Sequence, residues 1–232
     1  MLYEDPDVIV VEKSAGILTC ATRRGSEHTV EDALNDYVRK GQARSRKQVY
    51  LVHRLDRETS GVMMVAKTPD VQDYFRSNWN ELTEKTYLAR VRGTLAEKEG
   101  VFESYLAEDQ KTLLVRSVKN PKYGKFARTL YRVLSEGKGT TLVEVQLKSG
   151  RKNQIRVHFS ENGHPIVGDS RYGRDRGDLM LHSWKLGFVH PHTGRKMYFE
   201  TDRPPFAVEK EKVSGPGSTD ESKVKREVED EK

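Results

Sequence analysis

The sequence predicts an α+β fold carried by a mixed, mainly antiparallel sheet with flanking helices. Val8-Ile9-Val10-Val11, Val49-Tyr50-Leu51-Val52 and Val62-Met63-Met64-Val65-Ala66 are short apolar runs rich in β-branched residues, as buried strands are. From Lys85 to Leu147 strand patterns follow one another across Gly- and Lys-rich turns with no helix between them, which favours antiparallel pairing. Three other segments carry helix start or stop signals.

Taken in order, the strand at 8–11 ends in the turn Lys13-Ser14-Ala15-Gly16. Residues 29–39 are predicted helical, with Thr29 as N-cap and Glu31 and Asp32 in the first turn. Val30, Ala33, Leu34, Tyr37 and Val38 form its apolar face. Arg39 to Lys47 is a basic loop of small residues, solvated and able to meet phosphate. Thr68-Pro69-Asp70 starts a second helix, because the cap accepts a backbone N–H and proline fits the first helical position. Its Val71, Tyr74, Phe75 and Leu82 point to the core. Lys85 to Arg92 alternates as a strand, and strands follow at 101–106, 113–118, 129–134 and 141–147. Turns are expected at 121–125 and 136–139. A short helix at 153–162 closes on Gly163, and strands at 181–189 and 196–201 flank the turn Pro191-His192-Thr193-Gly194. From Ala207 onward Ser, Gly, Pro and mixed charges replace aromatics, so 207–232 is expected to be a disordered charged tail.

At 232 residues the chain supports one domain or two closely joined halves. No apolar run approaches the roughly 18 residues of a membrane span, and the N-terminus lacks a signal peptide's features. Cys20 is the single cysteine, so neither an intrachain disulfide nor a four-cysteine zinc site is possible. These features lead to an expectation of a cytoplasmic protein. The formal net charge is +6, and because residues 207–232 hold eight acidic and six basic side chains, the body carries +8. A basic body suggests a polyanionic partner, most often nucleic acid.

The loop between the second and third apolar runs, His53-Arg54-Leu55-Asp56-Arg57-Glu58-Thr59-Ser60-Gly61, sets Asp56 between two arginines at the mouth of a sheet. Neighbouring cations favour the ionised carboxylate. An ordinary surface ion-pair loop reads the same way, and by itself this string does not separate the two. His182, His190 and His192 lie close in sequence and His158 and His164 flank the short helix, yet their spacing fits no familiar ligand set, so no metal site is expected. No Gly-x-Ser-x-Gly elbow or Walker loop occurs. Asp56, Tyr87 and Arg156 each sit among polar, basic and glycine neighbours. A carboxylate, a phenol and a guanidinium suit breaking and remaking a glycosidic bond, while a half-buried strand tyrosine and a helix-surface arginine remain the plainer reading.

The string His53-Arg54-Leu55-Asp56-x-x-Thr59-Ser60-Gly61-Val62-Met63-Met64-x-Ala66-Lys67 resembles the signature of the RluA family of pseudouridine synthases. The likeness continues through Leu2-Tyr3-Glu4-Asp5 with Val10 to Gly16, Lys85 to Gly93, Ser149 to His158, Gly163 to Asp169 with Tyr172-Gly173, and Leu181-His182 with Phe188-x-His190-Pro191. This resemblance implies a catalytic domain over residues 1–206, with a sheet in two halves and the site in the cleft between them. It implies isomerisation of uridine in structured RNA, ribosomal or transfer, without cofactor or metal, by a monomer with no protein partner and no membrane association. A non-catalytic RNA-binding or RNA-folding protein on the same fold is the alternative.

Carried over by position, Asp56 would be the catalytic carboxylate, Tyr87 would lie against the uracil and could help remove the C5 proton, and Arg156 would pair with Asp56 and keep it ionised. Arg54 would fill the space left by the flipped base, and the backbone around Leu181 would line the pocket. Glu12 and Ser14 stand where many members have asparagine and proline, Asn153 where histidine is frequent, and Ser183 where alanine is usual. The motifs begin at Leu2, so no accessory N-terminal RNA-binding domain is expected.

Overall fold

The computed structural model describes residues 1–21, 28–42 and 44–207. Among them are three α-helices, two short 3-10 helices and eleven strands, and the strands form one mainly antiparallel sheet. In chain order the strands and α-helices are β1 (Tyr3–Glu4), β2 (Val8–Lys13), α1 (Val30–Arg39), β3 (Tyr50–Leu51), β4 (Ser60–Ala66), α2 (Pro69–Leu82) and β5 (Thr83–Arg92). They continue with β6 (Glu99–Glu108), β7 (Val115–Val118), β8 (Lys125–Gly137), β9 (Thr140–Leu147), α3 (Gln154–Glu161), β10 (Leu181–Val189) and β11 (Lys196–Glu200). The strand order is β1-β2-β4-β10-β5-β9-β8-β6-β7, with β3 on β4 and β11 on β10.

Two antiparallel halves meet where β4 lies parallel to β10, through only the pairs His182 with Ser60 and Ser183 with Gly61. Close approach there requires Gly61, whose φ is +112° and where a Cβ would lie 2.1 Å from the carbonyl oxygen of Ser183. Gly61→Ala should therefore cost at least about 3 kcal/mol. Urea unfolding measures it, and an unchanged midpoint would contradict the tight seam.

The continuous apolar runs are explained by burial on both faces. Ile9, Val11, Met63 and Val65 join Leu34 and Val38 of α1 and Ile155 and Phe159 of α3, while Val8, Val10, Val62 and Met64 join Val71 and Phe75 of α2. Helix α1 has the expected Thr29 cap, in a reciprocal box with Asp32. Its predicted face was too wide: Ala33 and Tyr37 are exposed, and the Tyr37 hydroxyl reaches outward to Glu4. Only Leu34 and Val38 are buried on it, a strip narrower than the spacing suggests. The expected strand at 113–118 begins at Val115, since Leu113 has φ 57° in a turn organised by Asp109. Lys138 and Gly139, both with positive φ, form the two-residue hairpin between β8 and β9.

The first residue assigned to the tail, Ala207, packs on the body. Ala207 is 1% exposed and packs with Leu88, Leu142 and Trp184, and Arg90 holds the Phe206 carbonyl through two N–H groups. The rest of the predicted tail lies outside the described residues.

Two histidines brace the region of the seam, His182 buried and His53 partly so. His182 is bonded by the hydroxyls of Ser60 and Thr201, both at 2.7 Å, and burial lowers its pKa to about 4. His53 stacks on Trp79, accepts the Met64 N–H at 3.0 Å, and is lowered by burial and then by the Lys85 charge to about 3. Both titrate near 6.5 when unfolded, so below that pH the unfolded chain binds more protons and stability falls as pH drops from 6.5 towards 4. Each unit of depression corresponds to about 1.4 kcal/mol. The urea midpoint should fall over this window, and a flat profile would show that one or both rings are charged in the fold.

Candidate active site

The loop from Val52 to Thr59 leads into β4 at the seam and is clamped from below. Leu55 is buried, and the Thr19 hydroxyl both donates to its carbonyl at 2.8 Å and accepts its N–H at 3.3 Å. Lys13 is 2% exposed and gives its three protons to the carbonyls of Ser14, Ile17 and Arg57 at 2.9, 2.8 and 3.1 Å. Burial brings its pKa down to about 8, opposed by the charges of Glu58 and Asp56. The Gly16 N–H also reaches the Arg57 carbonyl, while Arg57 Nε donates back to the Gly16 carbonyl. The Thr59 N–H donates to the Asp56 carbonyl and closes the turn, leaving the Asp56 side chain 31% exposed at its apex.

The groups that meet Asp56 come from the other half. Asn153 caps α3 in the left-handed conformation, φ 53°, and its Nδ2 donates to Asp56 Oδ2 at 2.6 Å. Arg156, one turn into the helix and 3% exposed, donates from Nη1 to the same oxygen at 3.1 Å and lies 3.9 Å from Glu58. The helix N-terminus adds its own attraction for a carboxylate. Behind Arg156, Nε and Nη2 grip both oxygens of Asp169 at 2.8 Å, and Asp169 is wholly buried. Burial alone would lower the Arg156 pKa, but the bonds and charge of Asp169, followed by those of Asp56, raise it. Asp169 is shifted down because Arg156 and two backbone N–H groups outweigh its burial. Both stay ionised, so Asp56 faces a permanent cation.

Tyr87 is 9% exposed on β5, and burial pushes its phenol up to about 12, with the Asp56 charge adding and a bond to Ser183 opposing. A phenol held there is protonated at neutral pH. Arg54 is exposed at the mouth, its Nη1 3.8 Å from Cys20 Sγ, and Leu181 forms an apolar wall at the start of β10. Asp56, Tyr87, Arg156, Arg54 and Leu181 line a single cleft, closed on its other sides by Leu147 and Ile155. The cleft opens to solvent, and about 390 Å³ of empty space lies within it and its open mouth.

Sequence reading missed what supports this set. Asn153 was noted only as a departure, and Asp169 and Tyr172 only as motif letters. A contact across 97 residues, Asn153 to Asp56, has no local signal. The histidines considered as ligands do not line the cleft. His158 bonds Ser104 and Thr129, while His190 and His192 pair with Asp5 and Asp7 at 2.7 Å each.

The family profile described as RNA pseudouridylate synthase matches residues 7–161. The chain is 35% identical over 219 residues to ribosomal large subunit pseudouridine synthase D of Nitrosomonas europaea, a match covering 88% of this chain and 62% of that protein. It is 34% identical over 211 residues to the dual-specificity RNA pseudouridine synthase RluA of Yersinia pestis, covering 87% of this chain and 98% of that one. The fold matches human RNA pseudouridylate synthase domain containing 4 with a TM-score of 0.71 at 24% identity, over 88% of both chains. The profile and these identities show that the chain belongs to the RNA pseudouridylate synthase family, in its RluA group.

Proposed function

We propose that this chain converts uridine in structured RNA to pseudouridine, with Asp56 as the reacting carboxylate and no cofactor. The observation that carries the reading is that Asp56, held by two donors from the N-terminal turn of α3, shares one cleft with Tyr87, Arg54 and Leu181. In the isomerisation the N1–C1′ bond breaks, a C5–C1′ bond forms, C5 loses a proton and N1 gains one. Asp56 acts at the sugar C1′ or on the base, Tyr87 packs against the uracil, and Arg156 keeps the carboxylate charged. Arg54 occupies the stack vacated by the flipped base, offsetting part of an unstacking cost of a few kcal/mol.

The relatives' names favour ribosomal RNA, with transfer RNA the other candidate substrate. We further propose a monomer acting in the cytoplasm, consistent with the lone Cys20. A passive RNA-folding protein has no use for a carboxylate held in this way. Mapping pseudouridine in total RNA from cells with and without the gene tests the function, and identical maps would overturn it.

The charge of the body makes a separate prediction. With residues 1–206 at +8, RNA affinity should fall steeply with salt. Contact with four or more phosphates gives a log–log slope of about −3 or steeper. Filter binding between low and physiological salt measures the slope, and a value near zero would exclude a phosphate-dominated interface.

A further inference from the structure

Arg156 Nη1 and Asn153 Nδ2 converge on Asp56 Oδ2, and among the described residues no hydrogen bond reaches Oδ1. We propose that Asn153, fixed by Tyr172, is a positioning residue that turns Asp56 so that Oδ1 is the oxygen offered to the substrate. This rests on the reading of Asp56 as the reacting carboxylate.

A side-chain amide can sit in two orientations, and the reverse one would set its oxygen against a carboxylate oxygen. Tyr172 selects between them. Its hydroxyl oxygen accepts the Val115 N–H at 2.9 Å, so its single proton is directed to Asn153, 3.2 Å away. Only an acceptor can receive that proton, which places the amide oxygen toward Tyr172 and the NH₂ toward Asp56.

Both residues are themselves held. Asn153 is locked by its left-handed backbone and by the Val157 N–H on its carbonyl. The Tyr172 N–H donates to Asp169 Oδ1 at 3.0 Å, its carbonyl accepts from Ser160, and its ring faces the Arg156 guanidinium at 5.3 Å. One turn, residues 169–172, therefore aims both donors, with Asp169 gripping Arg156 and Tyr172 orienting Asn153. Burial raises the Tyr172 pKa, and an amide does not titrate, so this support is constant through the neutral range.

Two activity variants, and one resonance compared between the wild type and a third variant, test it. Tyr172→Phe should lower kcat about 10-fold while KM for RNA stays within about two-fold. Asn153→Asp sets a second carboxylate beside the first, and like charges there share a proton. Its kcat should be down about 100-fold at pH 8 and recover about 10-fold as pH falls to 6, while the wild type changes little. Wild-type kcat in either variant would overturn the proposal, as would equal, pH-independent losses that track a lowered Tm. In wild-type protein the Asn153 side-chain amide proton should resonate downfield and move when Asp56→Asn is introduced. An unshifted resonance would also overturn it, whether or not the other variants fold. Were the wild type to form no pseudouridine on any RNA, the functional reading would fail, and the resonance would still decide the geometry.

Discussion

Asp56→Asn should reduce pseudouridine formation at least about 1,000-fold, a loss of about 4 kcal/mol in transition-state stabilisation, while RNA affinity changes only a few-fold. The fold should tolerate the change. The side chain is partly exposed, and an amide oxygen at the Oδ2 position can still accept from Asn153 and Arg156. What disappears is the charge and the second carboxylate oxygen facing the cleft. Pseudouridine yield on folded RNA, circular dichroism and RNA binding measured on one preparation separate these effects. Retained turnover would remove Asp56 from the chemistry, whereas lost turnover with lost binding would point to substrate recognition instead.

Arg156→Met should have the largest combined effect on stability and activity. The substitution keeps length but leaves Asp169, wholly buried, with a carboxylate answered, among the described residues, by the backbone N–H groups of Arg171 and Tyr172 alone. Breaking one side of a buried ion pair costs about 3–5 kcal/mol, because the remaining charge is stranded. Replacing Asp169 as well, as Arg156→Met with Asp169→Leu, should regain part of that stability. Activity should stay low in both proteins, since neither supplies a cation to Asp56. Urea unfolding with turnover reads the two consequences apart. A double variant that recovered turnover would show that Arg156 acts only through the fold.

Much of the architecture was legible because its signals are local. The Thr68 cap with Pro69, the Thr29 cap and the limits of β10 all follow from neighbouring residues and periodicity. Misreadings arose where tertiary context decides. Tyr37 fits an apolar face by spacing, but its hydroxyl makes an exposed bond to Glu4 satisfactory. Leu113 belongs to a strand by composition, but the Asp109 turn draws it out.

The site divides in the same way. Asp56 and Arg156 were found through motif resemblance, and the fold brings them together as expected, with Arg57 turned instead toward the Gly16 carbonyl. Asn153, Lys13 and Asp169 act by contacts made in three dimensions. A lysine after a strand or an asparagine before a helix is also what a solvated loop contains, so composition carried no sign of their part.

The short parallel seam also bears on how the molecule folds. Strands β6 to β9 pair with near neighbours in sequence, whereas the seam joins Ser60 to His182 across 122 residues. Loop-closure entropy must be met before such a distant pairing yields any stabilisation, so it forms late and opens early. Asp56 lies on one side of that seam and Arg156 on the other. Until that closure Asp56 has neither Asn153 nor Arg156 beside it, and the cleft they share does not exist.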